Sequence, residues 1–313
     1  MRLRDGRAKA ENEVVNAATI DDASRRAAFD RLLGELRPKL HRYCARMTGS
    51  VIDGEDVVQD ALVKAIEALS QTQSIDHPEG WLFRIAHNAA LDFLRRRARQ
   101  NAARSEGDPD MVVDPVSAVD DRQIAAASLR TFMRLPVAQR SSIILMDVLG
   151  YSLDEVGGIM EASVPAVKAA LHRGRARLRE LAQEPEDDPA PVLAEPERAQ
   201  LAAYIDRFNA RDFDAVRNML ADEVRLELVG KTRMNGRSEV AKYFHNYDRI
   251  TGWHLVPGLV DGRPAALVLD PGDPSGRPIY FVLLEWTGGR VANIRDFHFA
   301  RYVTDGAELI ISR

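Results

Sequence analysis

Arginine side chains recur along one face of a helical segment near residue 90, where they could neutralise phosphate groups. The polar residues of the run WLFRIAHNAALDFLRRR stand three or four positions apart, at Arg84, Asn88, Asp92, Arg95 and Arg99. This spacing places them on one side of an α-helix, opposite an apolar stripe. A face of arginine and asparagine suits contact with a nucleic-acid strand. A solvated helix surface of the same composition is the alternative.

A second basic cluster follows a predicted helix-turn-helix. The run SLDE at residues 152–155 predicts a capping box, and Ser163 can cap a second helix that has Pro165 in its first turn. A short helix, a tight turn and a basic helix form a device that reads the DNA major groove. An ordinary helical hairpin is the alternative. The basic residues that could contact bases or phosphates are Lys168, Arg173, Arg175, Arg177 and Arg179.

A carboxylate and an imidazole lie two residues apart near the C-terminus. Asp296 and His298 fall on a predicted strand, where alternate side chains point the same way. Tyr204 and Trp253 could line the same cavity. Such a pair could transfer protons, or Asp296 could hold His298 by a structural hydrogen bond. We assign no catalytic residue here and treat these four residues as a candidate regulatory pocket, for ligand sensing or for docking between domains.

Composition limits the class of protein. The chain has 313 residues, 29% of them charged, and a formal net charge of −4, which indicates two or three globular domains. It has no apolar run long enough to span a bilayer and no secretory signal, which predicts a cytoplasmic protein without a membrane partner. The single cysteine, Cys44, cannot form an internal disulfide or a multi-cysteine zinc site, so we expect no metal and no cofactor.

Changes in periodicity divide the chain into six segments. We expect a flexible N-terminus (1–24), a helical domain (25–99), an acidic linker (100–122), a second helical domain (123–182), an acidic proline-rich linker (183–197) and an α+β domain (198–305). The fold class is therefore multidomain, with two all-α domains followed by an α+β domain. The strands predicted for the last domain are Val224–Val229, Trp253–Val260, Ala265–Leu269, Ile279–Trp286 and Val291–Tyr302.

The first helical domain contains a helix with two distinct faces, beginning at GEDVVQDAL. Its predicted polar face carries Asp56, Asp60, Lys64 and Glu67, with Gln59 beside them. Residues three and four apart lie next to each other on a helix, so this face is continuous. The residues predicted to point inward are Val58, Ala61, Leu62, Ala65, Ile66 and Leu69.

Three separated runs together resemble regions 2 and 4 of extracytoplasmic-function sigma factors. They are GEDVVQDALVKAIEAL, WLFRIAHNAALDFLRRR and LPVAQRSSIILMDVLGYSLDEVGGIMEASVPAVKAALHRGRARL, and the resemblance covers about residues 29–181. It implies promoter DNA and core RNA polymerase, through its β′ clamp and β flap, as partners. It also implies that the loop at about residues 71–80 captures a flipped promoter base.

The resemblance assigns roles to individual residues. It implies that Asp56, Gln59 and Asp60 bind the polymerase clamp. The residues implied for the −10 promoter element are Asn88, Asp92, Arg95 and Arg96. The residues implied for the −35 element are Ser163, Pro165, Ala166, Lys168, His172, Arg173 and Arg175.

The last hundred residues resemble the SnoaL-like cone fold. The resemblance rests on YIDRFNARDFDAVRNMLADEV, NGRSEVAKYF and VANIRDFHFARYV. It implies a fused regulatory domain that contacts the two sigma domains within the same chain, with an unidentified small-molecule effector as a further candidate partner. The chain as a whole is thus expected to be a non-enzymatic sigma factor with a regulatory extension.

Two other functions stay open at this point. The first is a one-component helix-turn-helix regulator with a ligand-sensing domain, which would not need Asp56, Gln59 and Asp60 and would bind duplex DNA alone. The second is a SnoaL-like isomerase or cyclase with a helical appendage, in which replacement of Asp296 should abolish turnover.

Overall fold

The computed structural model describes the backbone of residues 5–69, 75–102, 128–183, 193, 195–247 and 252–312. Within these ranges, side chains are described from residue 27 onward, apart from residues 102, 183 and 246. Most of the two predicted linkers, and part of the loop expected to capture a base, lie outside these residues.

Three helices form the first module: α1 (Asp5–Thr48), α2 (Val51–Leu69) and α3 (Pro78–Ala102). Helix α1 begins at Asp5 and so runs through the segment expected to be a flexible N-terminus, which is rich in residues that favour helix. The hydroxyl of Ser50 accepts from the amides of Ile52 and Asp53 at 3.2 and 3.4 Å and so starts α2.

The second module contains α4 (Leu129–Met133), α5 (Val137–Ile143), a π-helical turn (Ile144–Val148), α6 (Leu153–Met160) and α7 (Val164–Gln183). The predicted capping box of α6 is confirmed, since Ser152 and Glu155 bond each other's backbone amides. Ser163 accepts from the amide of Ala166 at 3.4 Å at the start of α7. Gly174 permits close packing, because a Cβ there would lie 2.6 Å from Ile143 Cδ1.

The two helical modules share one hydrophobic core. Tyr43 of α1 and Phe83 of α3 belong to it together with Phe132, Ile144 and Tyr151 of the second module. The Phe83 and Tyr151 rings meet edge to face at 5.1 Å. The modules are therefore docked on each other, and we call this arrangement the closed form.

The C-terminal domain begins with α8 (Glu197–Asn209) and α9 (Phe213–Asn218), and α10 (Arg237–Tyr243) follows its second strand. Its strands are β1 (Leu220–Leu228), β2 (Thr232–Asn235), β3 (His254–Val260), β4 (Arg263–Leu269), β5 (Pro278–Thr287), β6 (Arg290–Asp296) and β7 (Leu309–Ile311). Two short 3-10 helices, Phe244–Asn246 and Arg301–Thr304, complete it. The predicted α+β class is confirmed.

The strands form one sheet of order β2-β1-β6-β5-β4-β3-β7. Only the β1–β6 pair is parallel among the described ladders, and it brings Leu228 opposite Asp296. Strand β6 ends at Asp296, so the prediction of one strand over Val291–Tyr302 is wrong beyond that residue. The chain turns there because Phe297, Ala300 and Val303 pack under the sheet instead of extending it.

The two faces of the sheet bury different cores. Alternate residues of β5 show this: Tyr280 and Val282 face the domain's own helices, whereas Phe281 and Leu283 face the opposite way. The second face forms a core with Ala45, Val51 and Ile52 of the first helical module. The sheet of the C-terminal domain is therefore packed directly on α1 and α2.

Candidate nucleic-acid interface

The basic stripe of α3 is exposed to solvent. Helix spacing brings Arg84, Asn88 and Arg95 to one face, as predicted, and all are exposed. Asp92 lies 3.7 Å from Lys64 of α2 and 3.3 Å from Arg95, and all three side chains are at least half exposed. Exposed ion pairs of this kind contribute little stability, so they hold the two cations, Lys64 and Arg95, only weakly.

The outward face of α7 is also exposed. Its open residues are Ser163, Pro165, Ala166, Lys168, His172 and Arg173, all among the expected −35 set. Arg175 differs from them, because its guanidinium forms a two-point pair with the buried carboxylate of Asp147. Such bidentate pairing fixes a side chain, so Arg175 holds α7 against the π-helical turn in this form.

A groove of about 1030 Å³ separates the start of α3 from α6. Trp81 and Arg84 line one side, next to the loop expected to capture a base, and Tyr151 lines the other. Glu79 joins the walls by accepting from Tyr151 at 2.5 Å and from Lys39 at 2.6 Å. The second helical module therefore stands against the mouth of the expected base site.

Helix α2 presents a continuous outer ridge, which we call the α2 stripe and define as Asp56, Gln59, Val63 and Ile66. The prediction that Ile66 points inward is wrong: it is 42% exposed, and Val63 is 56% exposed. The α2 residues buried in the shared core do not include Val63 or Ile66; they are Val57, Val58, Ala61, Leu62 and Ala65. The ridge thus continues the face of the expected clamp-binding residues.

Arginines of the C-terminal domain bind the N-terminal half of the α2 stripe. Arg295 Nη2 lies 2.6 Å from Asp56 Oδ1, and its Nε lies 3.1 Å from Glu227. Arg233 donates to Gln59 Oε1 at 3.0 Å. Burial alone would lower the pKa of Arg295, but the two carboxylates beside it raise that pKa above its ordinary value. The guanidinium therefore stays charged in its half-buried position.

A third arginine extends this contact toward α3. The carboxylate of Asp53 is bound by Arg263 of β4 and, at 3.2 Å, by Arg97 of α3. We refer to Arg233, Arg263 and Arg295 together as the arginine latch. Each binds a polar residue near the start of α2, so the latch connects three strands of the sheet to one helix.

A buried polar network lies beside the latch. Tyr302 donates to Glu55 at 2.9 Å and accepts from Arg37 Nε at 2.7 Å, and Arg37 also binds Glu55. Glu55 is fully buried, so its charge requires these partners. Burial alone would lower the pKa of Arg37, but Glu55 and Tyr302 together raise that pKa by more than burial lowers it, so the net change is an increase.

The C-terminal domain also caps α2. The amide of Val51 donates to Asp261 Oδ2 at 2.6 Å, and the amide of Glu308 donates to the other oxygen at 3.0 Å. Asp261 occupies the left-handed region with φ 49° in the Asp261–Gly262 turn. An aspartate at a helix N-terminus satisfies an otherwise free amide. The start of α2 is therefore completed by another domain.

The four residues of the expected regulatory pocket lie in or beside the domain's own core. Asp296 is fully buried and accepts from Tyr247 at 3.1 Å, from Tyr243, and from the amide of His298 at 2.8 Å. Burial raises the pKa of Asp296. His298 itself lies beyond the strand, edge to face with Tyr280 at 5.0 Å. Asp296 and His298 thus meet through the backbone and not as a side-chain pair.

The remaining two pocket residues join an aromatic cluster. Tyr204 stacks on Phe208 with ring centroids 5.8 Å apart, and Trp253 lies 5.0 Å from the same ring. Tyr247 connects Trp253 to Asp296. The structure therefore brings Tyr204, Trp253 and Asp296 into one core.

The sequence did not identify the residues of the interdomain contact. Arg233, Arg263, Arg295, Tyr302 and Asp261 reach partners between 174 and 265 positions away along the chain. An Asp-Gly pair such as Asp261–Gly262 indicates a turn, but a turn motif does not identify a distant partner. Among the helices that the structure describes, none is long and apolar enough to cross a membrane.

Comparison with known proteins agrees with this architecture. The family model Sigma-70 region 2 matches residues 32–100, and Sigma-70, region 4 matches residues 129–178. The sigma factor SigM of Mycobacterium tuberculosis is 32% identical over 180 residues, which cover 56% of this chain and 87% of SigM. SigG of the same species is 26% identical over 302 residues, covering 87% of this chain and 82% of SigG.

Solved structures give matches of lower similarity. The crystal structure of SigJ, an extracytoplasmic-function sigma factor of Mycobacterium tuberculosis, is 22% identical with a TM-score of 0.34, covering 90% of this chain and 99% of SigJ. An NTF2-like protein of unknown function from Cytophaga hutchinsonii covers 32% of this chain and 96% of its own, with 14% identity and a TM-score of 0.24. On the sequence matches, this chain belongs to the extracytoplasmic-function family of RNA polymerase sigma factors.

Proposed function

We propose that the sigma factor binds core polymerase through the α2 stripe and Asp60, opens the −10 element with α3 and reads the −35 element with α7. In this proposal the closed form is the restrained state of the sigma factor. The sigma factor acts in the cytoplasm together with the polymerase. The observation that carries this proposal is the arginine latch, which occupies Asp56 and Gln59, two residues of the expected clamp-binding set.

Promoter geometry requires the helical modules to separate. The −10 and −35 elements are roughly 25 base pairs apart, or about 85 Å at 3.4 Å per base pair. In the closed form Tyr151 of the second module packs on Phe83 of the first. One docked unit cannot place α3 and α7 on both elements at once. Binding to polymerase must therefore break the shared core.

The C-terminal domain is proposed to stabilise the closed form. It contacts the first module through the latch and through the core that contains Val51 and Ile52, and it contacts the second through an ion pair of Arg130 with Glu308 at 2.9 Å. A domain that binds both modules opposes their separation. Its release would allow polymerase and promoter to bind.

Charge reversal on α2 tests the polymerase contact. Replacing Asp56 and Asp60 with Arg should abolish co-elution with core polymerase, because it places cations where carboxylates are proposed to bind. The matched control reverses two exposed acids of α1, with Asp30→Arg and Glu35→Arg, and should retain binding. If the α2 variant still co-elutes while it remains folded by circular dichroism, the assignment of this face is wrong.

Loss of cations from α3 tests the −10 assignment. The double change Arg95→Ala and Arg96→Ala should reduce promoter opening, measured with a fluorescent base in the −10 element, more than it reduces binding of duplex promoter. Arg42→Ala on the exposed face of α1 is the control and should change neither. Equal losses of opening and duplex binding would contradict a role in strand separation.

For the Asp296 cluster we propose a structural role in the regulatory domain. Both carboxylate oxygens already accept hydrogen bonds, from two tyrosines and one amide, and the group is fully buried. A general base needs an oxygen that a substrate can reach. Asp296→Asn should therefore lower the thermal stability of the domain. Any change that this variant causes in transcription should match the fraction of protein that is unfolded.

A further inference from the structure

The α2 stripe is divided into a half that the arginine latch binds, here called the covered half, and a half that the latch does not bind, here called the free half. Asp56 and Gln59 are held by Arg295 and Arg233, at 2.6 and 3.0 Å. Val63 and Ile66, one and two turns further along, are 56% and 42% exposed. They are two of the four large hydrophobic residues classed as exposed among the described residues. The closed form thus leaves an apolar surface adjacent to the latch.

The free half continues the proposed polymerase contact. Positions 56, 59, 63 and 66 follow the spacing of three and four that places side chains on one ridge of a helix. A partner that binds Asp56 and Gln59 along this ridge therefore also meets Val63 and Ile66. The latch shows what the covered half accepts, namely guanidinium groups. The partner surface should accordingly combine apolar side chains with cations next to them.

We infer that core polymerase begins to bind the closed protein on Val63 and Ile66 and then displaces Arg295 and Arg233 from the rest of the stripe. This inference rests on the proposed function, since it takes the α2 stripe as the polymerase-binding surface. The C-terminal domain would then slow polymerase binding without blocking it. Each latch contact that opens exposes the next polar residue of the ridge to the partner.

Association kinetics test the inference. At low concentrations of excess core polymerase, the observed rate of association should rise linearly with polymerase concentration for the wild-type chain, and the slope reports the first contact. Val63→Ser with Ile66→Ser should lower that association rate by about tenfold, within the range that single interfaces show. Ile311→Ser, which changes an equally exposed apolar residue of β7, is the control and should leave the rate unchanged.

A second background separates the free half from the latch. In the variant Arg233→Ala with Arg295→Ala the whole stripe is open, so association should be faster than in the wild type. Adding Val63→Ser and Ile66→Ser there should lower the association rate by less than about twofold and act mainly on dissociation. This difference between backgrounds is the signature of a first contact on the free half.

Other outcomes would overturn the inference. An initial slope of the observed rate against polymerase concentration that the changes at Val63 and Ile66 leave unaffected would mean that the latch opens first. If the molar mass of the wild-type chain in solution rises with its concentration, and that of the Val63/Ile66 variant does not, the surface would instead serve self-association. Failure of every variant to bind polymerase, the open variant included, would refute the proposed function itself.

Discussion

His87 is a buried titratable group between the two helical modules. Its Nδ1 lies 2.6 Å from the hydroxyl of Tyr43, and that hydroxyl lies 3.5 Å from Ser141 of the second module. Burial lowers the pKa of His87 to about 4. The folded state therefore holds a neutral imidazole, and the unfolded chain binds the proton more tightly.

This shift sets the sign of the pH dependence. The stabilising contribution of neutral His87 is complete above the unfolded value of 6.5 and is lost as pH falls toward about 4. The free energy of unfolding should fall by up to about 3 kcal/mol across this window. His41 titrates in the same direction, because burial lowers its pKa too. Urea unfolding at a series of pH values should therefore show a weaker pH dependence of the unfolding free energy for His87→Gln than for the wild type. The same pH dependence in both proteins would contradict the assignment.

Arg295 is the residue of the latch with the least exposed side chain, 13%. Arg295→Ala removes its pairs with Asp56 and Glu227. It should weaken docking of the C-terminal domain by about 1.5–3 kcal/mol, the range for hydrogen bonds to charged groups. Hydrogen exchange at the amide of Val51, which is bonded to Asp261, should speed up by about tenfold or more. Arg237→Ala removes surface contacts with Asp222 and Asn218, away from α2, and should leave that exchange unchanged.

Close packing of α1 and α2 depends on Gly54. A Cβ at this position would lie 2.6 Å from the Cα and amide nitrogen of Ala45, which are backbone atoms and cannot rotate away. Gly54→Ala should therefore destabilise the first module by about 1–3 kcal/mol. Gly34→Ala meets no atom within 4 Å and should stabilise α1 by about 0.5–1 kcal/mol. Thermal unfolding of the two variants would refute this account if the two shifts had the same sign.

Local patterns predicted most of the elements and few of their contacts. The capping box at Ser152 and the basic face of α7 follow from neighbouring residues, so they were predictable. The three-four spacing predicts a broad inward stripe that includes Ile66, but Ile66 is 42% exposed and lies outside the shared core. The end of β6 at Asp296 was missed because the next residues pack under the sheet, and strand propensity does not encode that.

At the scale of the whole molecule, domains that are separate in the sequence share one hydrophobic core. Residues of the first helical module and of the C-terminal sheet pack together in it. Val51 and Ile52 precede the predicted helix start at Gly54, yet they begin the observed helix and are fully buried in one core with Phe281 and Phe297 of the C-terminal domain. Periodicity reports that a residue is buried but not which distant surface buries it. The direction of regulation could therefore not be derived from the sequence.

This packing also predicts the effect of truncation. Removing residues 198–313 would uncover Ala45, Val51 and Ile52 as one apolar surface. Exposed patches of this kind promote association. The truncated chain should therefore elute from a sizing column as larger species, whereas the variant with Ala at all three latch positions should stay monodisperse. A monodisperse truncated chain would contradict the importance of this core.

The most direct test of the account is run-off transcription with limiting core polymerase on a genomic promoter pool. Wild-type chain and the Arg233→Ala, Arg263→Ala, Arg295→Ala variant should direct transcription from the same start sites, with several-fold more transcript from the variant because its α2 stripe is open. A variant that gives equal or less transcript would contradict restraint by the latch. No promoter-specific transcript from either protein would contradict the sigma-factor mechanism proposed for the α2, α3 and α7 surfaces.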